Sequence, residues 1–276
     1  MMPELPEVET IKLNLKEKIL GKKIIDFRVF DSKVANFISK DIVGSEVSGI
    51  ERRGKIIIIF LSSKKILLIH LKLTGQLIFQ PKLPEHYPKK EEFVRAVFCF
   101  EDGLNLYFKD LRRFGYLKLY DSDKKIEDIP ELKKMGPEPF SSDFTVEYLR
   151  QQAKRMPRRK IKQMLMDQEV VAGIGNIYAD EALFQAGILP MRSAKELTAS
   201  EWLKLKEAIL KVLSLGLKYK GASVDRYLNA FGQKGSMDQH LAVYRRTGLP
   251  CIRCGEKIKR VSLGGRGTHY CPRCQK

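Results

Sequence analysis

Four cysteines near the end of the chain carry the most specific chemistry in the sequence. Cys251-x2-Cys254 and Cys271-x2-Cys274 are separated by sixteen residues. Each pair can offer two thiolates to one tetrahedral zinc, and the stretch between them suits a small β-hairpin. Four thiolates close the coordination shell, so the expected zinc is structural and not catalytic. Cys99 lies apart in a strand-like run and reads as a small core residue. Between Arg245 and Lys276 stand nine Lys/Arg and one acid, Glu256. A ribbon with that balance is a surface for gripping phosphates. Its Gly264-Gly265-Arg266-Gly267 tip can present Arg266 from backbone lying close to a ligand.

A second constellation is Gly173-Ile174-Gly175-Asn176, a tight glycine turn that feeds a helix. Free N–H groups at such a terminus attract phosphate, and Asn176 either caps the helix or donates to that phosphate. Just upstream, Arg150 to Lys162 holds seven basic residues and no acid. This favours a DNA-facing surface, with Arg155 and Arg158 as candidate contacts. The third constellation opens the chain: Met2-Pro3-Glu4-Leu5-Pro6-Glu7-Val8-Glu9. Taken alone, Glu7 and Glu9 need only complement the dipole of a following helix.

The whole chain points the same way. Its 276 residues carry 51 Lys+Arg against 33 Asp+Glu, a formal net charge of +18, which favours a polyanionic partner. The longest purely apolar run, Ile56 to Leu61, is far too short to cross a bilayer. The acidic N-terminus is the reverse of an export signal. The expected location is the cytoplasm, where paired cysteines indicate metal in preference to disulfides.

These groups need three kinds of scaffold. Short runs rich in Ile, Val, Phe and Tyr predict strands at 24–30, 55–61, 66–71, 76–79, 94–100, 104–109 and 115–120. A helix from about Pro6 to Leu20 precedes them, with Val8, Ile11, Leu15 and Ile19 at helical spacing. Beyond Met135-Gly136-Pro137-Glu138-Pro139 the pattern turns helical, over 146–155, 160–167, 176–186 and 198–217. After Tyr219 the sequence loosens, with glycines at 221, 232 and 235. The expectation is an α+β multidomain chain: a β-rich domain with a flanking helix (1–134), a helical domain with a helix–two-turn–helix (135–244) and a zinc ribbon (245–276). Strand count alone permits a sandwich or a barrel.

Taken together, the motifs resemble the formamidopyrimidine-DNA glycosylase family over essentially the whole chain. The likeness runs through Pro3–Thr10, Arg52-Arg53-Gly54-Lys55, Ile69-His70-Leu71 and Asp110-Leu111-Arg112-Arg113-Phe114-Gly115. It continues through Gly136–Pro139, Leu165-Met166-Asp167-Gln168, the glycine turn, and Gly265-Arg266-Gly267-Thr268. The resemblance implies a β-sandwich for the first domain. It also implies a monomeric base-excision-repair enzyme that removes oxidised purines from duplex DNA and nicks the strand. By resemblance Pro3 is the nucleophile, Glu4 the acid that helps open the sugar ring, and Glu7 a positioning group. Lys55 contacts phosphate and donates protons, and Arg266 assists the second elimination. Leu73, Arg112 and Phe114 map to a trio that fills the gap left by the flipped base, and His70 to a DNA contact. The stretch from Gly221 to Gly235 maps to a mobile cover over that base. The chemistry agrees: a terminal amine titrates near pH ~8, against about 10.4 for lysine, and is far more nucleophilic at neutrality.

Three departures qualify the likeness. The chain opens Met1-Met2-Pro3, so a free proline requires translation to start at Met2. Leucine at 73 stands where the family often has methionine. Lys90-Glu91-Glu92-Phe93-Val94 replaces a histidine-containing segment. Two other readings remain open: an endonuclease VIII-type enzyme acting on oxidised pyrimidines, and a non-catalytic zinc-finger DNA-binding module.

Overall fold

The computed structural model describes residues 2–81, 93–123 and 125–276. The chain divides into two compact units, Met1–Lys133 with Tyr219–Ser236, and Lys134–Lys218 with Met237–Lys276.

The first unit begins with helix α1 (Leu5–Ile19), whose N-terminus is set by a reciprocal capping box. Glu4 is the N-cap and accepts from the N3 backbone, while Glu7 Oε2 accepts from the Glu4 N–H at 2.8 Å. The apolar stripe Val8, Ile11, Leu15 and Ile19 is buried, as its spacing predicts. Among the described residues eight strands follow: β1 (Ile24–Val29), β2 (Val47–Arg53), β3 (Ile56–Leu61), β4 (Lys65–His70), β5 (Gly75–Gln80), β6 (Val94–Phe100), β7 (Asn105–Asp110) and β8 (Tyr116–Asp121). They form two antiparallel four-stranded sheets, ordered β1-β6-β7-β5 and β2-β3-β4-β8. Phe27, Leu77, Phe98 and Phe108 from one sheet share a single core with Ile57, Ile59, Leu67 and Ile69 from the other. This is a β-sandwich, with the apolar face of α1 in the same core. Strand β2 was not among the expected strands. Only Val47 and Ile50 are fully buried in it, and Gly49 with Glu51-Arg52-Arg53 hides its alternation.

After β8 comes a short helix, α2 (Pro130–Lys133). The later segment Tyr219–Ser236 rejoins this unit through several anchors: Glu7 Oε1 accepts from Ala222 N–H at 2.8 Å, Asn14 Oδ1 from Ala230 N–H at 3.2 Å, and Ala230 O from Phe79 N–H at 2.9 Å. Of the segment at 90–94, Lys90, Glu91 and Glu92 lie outside the described residues; Val94 opens β6.

The second unit holds α3 (Val146–Arg155), α4 (Ile161–Met166), α5 (Asn176–Ala186), α6 (Ala199–Lys218) and a hairpin of β9 (Lys259–Leu263) and β10 (Arg266–Tyr270). Thr145 caps α3 through its hydroxyl, and Gly187 ends α5 in a left-handed conformation. Between α4 and α5, Gln168 organises the two turns: its Oε1 accepts from Gly173 N–H at 3.0 Å and its Nε2 donates to Ile174 O at 2.9 Å. Among the described residues no helix is long and apolar enough to cross a membrane.

Candidate active site and DNA interface

Pro3, Glu4 and Glu7 are buried together at the N-terminus of α1, with both carboxylates only 1% exposed. Burying two acids is costly unless each is hydrogen-bonded. The capping box satisfies part of that demand, and Ala222 N–H supplies another donor to Glu7. Opposite Glu7 stands Gly221, at φ +86°, where an added Cβ would lie 2.7 Å from Glu7 Cγ. Only glycine fits that approach. Tyr227 closes the same corner, its hydroxyl donating to Lys220 O at 3.1 Å.

Lys55 is 4% exposed and stands in the turn that joins β2 to β3. That turn is tied to α1 by Arg52, whose Nε donates to Glu9 Oε2 at 2.8 Å and whose Nη1 reaches Gly54 O at 2.8 Å. Burial pulls the Glu9 carboxyl upward, but Lys12 and Arg52 together hold it below the usual range. Glu9 thus does more than complement the dipole: it joins the helix bearing Pro3 to the turn bearing Lys55.

At the end of β4, His70 Nδ1 accepts from Lys72 N–H at 3.0 Å. Burial, with the charges of Lys72 and Lys55, pushes the imidazole down to about 3. The ring is neutral at pH 7, and with Nδ1 accepting, its proton sits on Nε2 as a donor. Leu73 occupies the turn that follows, and Arg112 to Phe114 occupy the loop between β7 and β8. Arg112 lies over the Phe114 ring at 4.8 Å, and Phe114 is 52% exposed. Arg113 between them adopts φ +59° and is held by a bidentate pair with Asp31. The structure therefore brings Leu73, Arg112 and Phe114 onto two adjacent loops. Asp110 joins those loops, a role that the motif containing it did not disclose.

In the second unit, Asn176 opens α5, and its Nδ2 donates to Gly267 O at 3.1 Å. Arg266 begins β10 and is exposed, facing Leu263 across the Gly264-Gly265 turn. Both glycines have positive φ, 57° and 72°, as a two-residue hairpin turn of this hand requires. Arg155 and Arg158 are exposed at the C-terminus of α3 and just beyond it.

Behind these groups lies a network that sequence reasoning missed. Lys162, 1% exposed, pairs with Asp180 Oδ1 at 2.7 Å and donates to Thr268 Oγ1 at 2.8 Å and Gly267 O at 3.1 Å. Asp180 Oδ2 accepts from His269 N–H at 2.9 Å. Next to it, Glu181 accepts three backbone N–H bonds, from Ala242, Val243 and Tyr244, at 2.8–2.9 Å. The signal was available: Asp180-Glu181 interrupts a helix whose neighbours Ile177, Tyr178, Ala179, Ala182, Leu183 and Phe184 are apolar and buried.

The four cysteine sulfurs lie within 4.8 Å of one another, with Cys251–Cys274 at 3.8 Å and Cys254–Cys271 at 3.5 Å. A tetrahedron with zinc–sulfur bonds of about 2.3 Å has edges of roughly 3.8 Å, so the donor set fits zinc. Disulfides, at about 2.05 Å, are excluded. Backbone N–H groups of Arg253 and Cys274 point at Cys251 and Cys271 sulfurs at 3.4 Å, which favours thiolate. The four residues are the ligands of a structural zinc.

Three family models cover the chain: the formamidopyrimidine-DNA glycosylase N-terminal domain at residues 2–117, the H2TH domain of the same glycosylase at 135–227, and a zinc finger found in FPG and IleRS at 248–276. The formamidopyrimidine-DNA glycosylases of Carboxydothermus hydrogenoformans and Geobacillus kaustophilus are 42% and 40% identical, each aligned over the full length of both chains. Among solved structures, a Lactococcus lactis FPG variant bound to DNA containing Fapy-dG matches with a TM-score of 0.90 at 34% identity, covering 99% of this chain and 100% of that one. MutM bound to DNA containing carbocyclic 8-oxo-G matches at 0.88 and 34% identity, with the same coverage. With the buried proline and carboxylates in the first unit and the cysteine cage in the second, the chain belongs to the formamidopyrimidine-DNA glycosylase family.

Proposed function

We propose that the chain is a DNA glycosylase of base excision repair that removes oxidised purines from duplex DNA and then nicks the strand as an AP lyase. The observation that carries this reading is the cluster at the start of α1, where Pro3 is buried beside two nearly inaccessible carboxylates in a chain whose charge is +18. Buried acids beside a nucleophile are placed for proton transfer.

In this reading the mature chain begins at Pro3. Its nitrogen attacks the sugar C1′, the damaged base leaves with its bonding electron pair and takes up the proton that the proline nitrogen gives up, and Glu4 delivers a proton to the ring oxygen as the ring opens. The resulting iminium withdraws electrons, so loss of the proton at C2′ expels the 3′ phosphate; a second elimination expels the 5′ phosphate. Lys55 contacts a phosphate and moves protons, Glu7 fixes the Glu4 backbone, and Arg266 assists the second elimination. His70, Asn176, Arg155 and Arg158 hold the strand. Leu73, Arg112 and Phe114 fill the vacated stack, because a base inside a duplex must be flipped before it can be cut out. The zinc holds the ribbon in shape and takes no part in the chemistry. The protein works as a cytoplasmic monomer on nucleoid DNA, in three functional parts at 1–134, 135–244 and 245–276.

Borohydride trapping on a duplex with 8-oxoguanine opposite cytosine tests this. The expected result is a covalent adduct that maps to Pro3. Protein with a verified N-terminal proline that excises nothing and forms no adduct would defeat the reading in favour of a DNA-binding module. A second substrate class has one observation behind it, since a Lactococcus lactis FPG complex contains an oxidised pyrimidine. Thymine glycol excision outrunning that of 8-oxoguanine would favour it.

A further inference from the structure

Asp110 is completely buried at the end of β7, yet no catalytic role falls to it. Its two oxygens collect donors from both loops at this edge of the sandwich. Oδ1 accepts from the Thr74 hydroxyl and from the Arg112 N–H, the latter at 3.1 Å. Oδ2 accepts from Gly115 N–H at 2.7 Å. The Thr74 oxygen in turn accepts from Arg112 N–H at 3.0 Å. Thr74 follows Leu73 in a turn closed by Gly75 N–H donating to Leu71 O at 2.8 Å. The link therefore runs from the residue beside Leu73, through one buried carboxylate, to both ends of the loop carrying Arg112 and Phe114. Arg95 adds a bond to Asp110 O at 2.8 Å, so the carboxylate itself sits on fixed backbone.

Charge-assisted hydrogen bonds to a buried carboxylate are strong, and their geometry is narrow. Two loops joined in this way cannot shift separately without leaving a buried donor or acceptor unsatisfied. We infer that Thr74 and Asp110 are positioning residues, which couple the two loops so that Leu73, Arg112 and Phe114 enter the duplex as one rigid wedge. The inference rests on the wedge role proposed above. It adds that insertion is a single concerted event, with Arg112 brought to the orphaned base by the same movement that drives Leu73 into the stack. Arg112 is already stacked on Phe114, so that half of the wedge is preformed.

The experiment compares Thr74→Val, Thr74→Ser and Leu73→Ala in the full zinc-bound chain under single-turnover conditions. The substrates are duplexes with 8-oxoguanine opposite cytosine or adenine, and a single-stranded abasic oligonucleotide. The single strand has neither stack nor opposing base, so its nicking reports the fold and the catalytic groups alone. Thr74→Val, which keeps the shape and removes the hydroxyl, is expected to lower duplex excision on the order of tenfold relative to its own single-strand rate. It should also narrow the preference for cytosine over adenine, and Thr74→Ser should restore both. In a Leu73→Ala background Thr74→Val should add little, because the coupling has lost its object. A Thr74→Val ratio equal to wild type, with Leu73→Ala impaired, overturns the coupling and leaves the wedge standing. Leu73→Ala equal to wild type on the duplex overturns the wedge itself. Equal loss by Thr74→Val on both substrates marks a folding role and also overturns the coupling.

Discussion

The two units fix their frameworks by different means. In the first, a continuous apolar core sets the framework. The aliphatic and aromatic interior of the sandwich fixes α1 and the strands, and buried polar residues such as Glu4, Lys55 and Asp110 sit at element ends, serving turns and loops. In the second, the ribbon shares a small apolar cluster with the helices, built around Phe184, Val243, Ile258 and the cysteines. Its orientation comes instead from Lys162, Asp180, Glu181 and His269, charged or polar groups drawn almost wholly out of water. A sandwich is large enough to be rigid through burial alone. A 32-residue ribbon is not, so it takes its internal shape from metal and its placement from directional bonds.

The strongest way to break this comparison is to remove the zinc. A chelator should unfold the ribbon and abolish tight DNA binding, because metal binding and folding are one event in such modules. Far-UV circular dichroism should show that the strands of the sandwich persist; their loss along with the ribbon would contradict two independently organised units.

Next is Lys162→Met, which leaves Asp180 buried beside an apolar chain. The expected destabilisation is about 3–5 kcal/mol by denaturant unfolding. A cost under ~1 kcal/mol would mean that packing, not the ion pair, orients the ribbon. In the first unit the matching probe is steric. Gly221→Ala places a methyl group against Glu7 in backbone that disfavours it, and should cost about 1–3 kcal/mol and slow excision. Wild-type activity in that variant would show that the approach of Gly221 to Glu7 is not needed.

The last probe concerns pH. The His70 imidazole is held neutral, with its folded value pushed down to about 3 by burial and by Lys72 and Lys55. A depressed value means that the unfolded chain takes up the proton first. The stability held by neutral His70 is full above the unfolded value of about 6.5 and is lost as pH falls from there toward 3. Melting temperatures of the wild type and His70→Gln should therefore diverge most near neutrality and converge in acid; parallel curves would contradict the assignment.

How legible this was from sequence depended on whether a residue's role was local. The cysteine cage was readable because ligand spacing along the chain is itself the signal, and α1 because its stripe recurs at helical period. Seven of the eight strands announced themselves by Ile-, Val- and Phe-rich runs; β2 did not, since its end is polar and Arg52 serves a turn and a salt bridge there. Lys162 was hidden by its company. It stands in a run of seven basic residues, and nothing in the run distinguishes the one that is buried from those that are exposed. Thr74 and Asp110 lie 36 positions apart and meet only because Gly75 and Asp110 are paired across β5 and β7.

The ribbon's register also makes it a measuring device. Lys162 reads Thr268, Asp180 reads His269, and two glycines turn the chain immediately before Arg266. Side chains alternate faces along a strand, so one residue added between Arg266 and Thr268 would leave the sulfur cage and the buried pairs intact while swinging the arginine to the opposite side. The sixteen residues between the cysteine pairs thus form a spacer of fixed length, one that tolerates exchange of its surface residues far better than a change in their number.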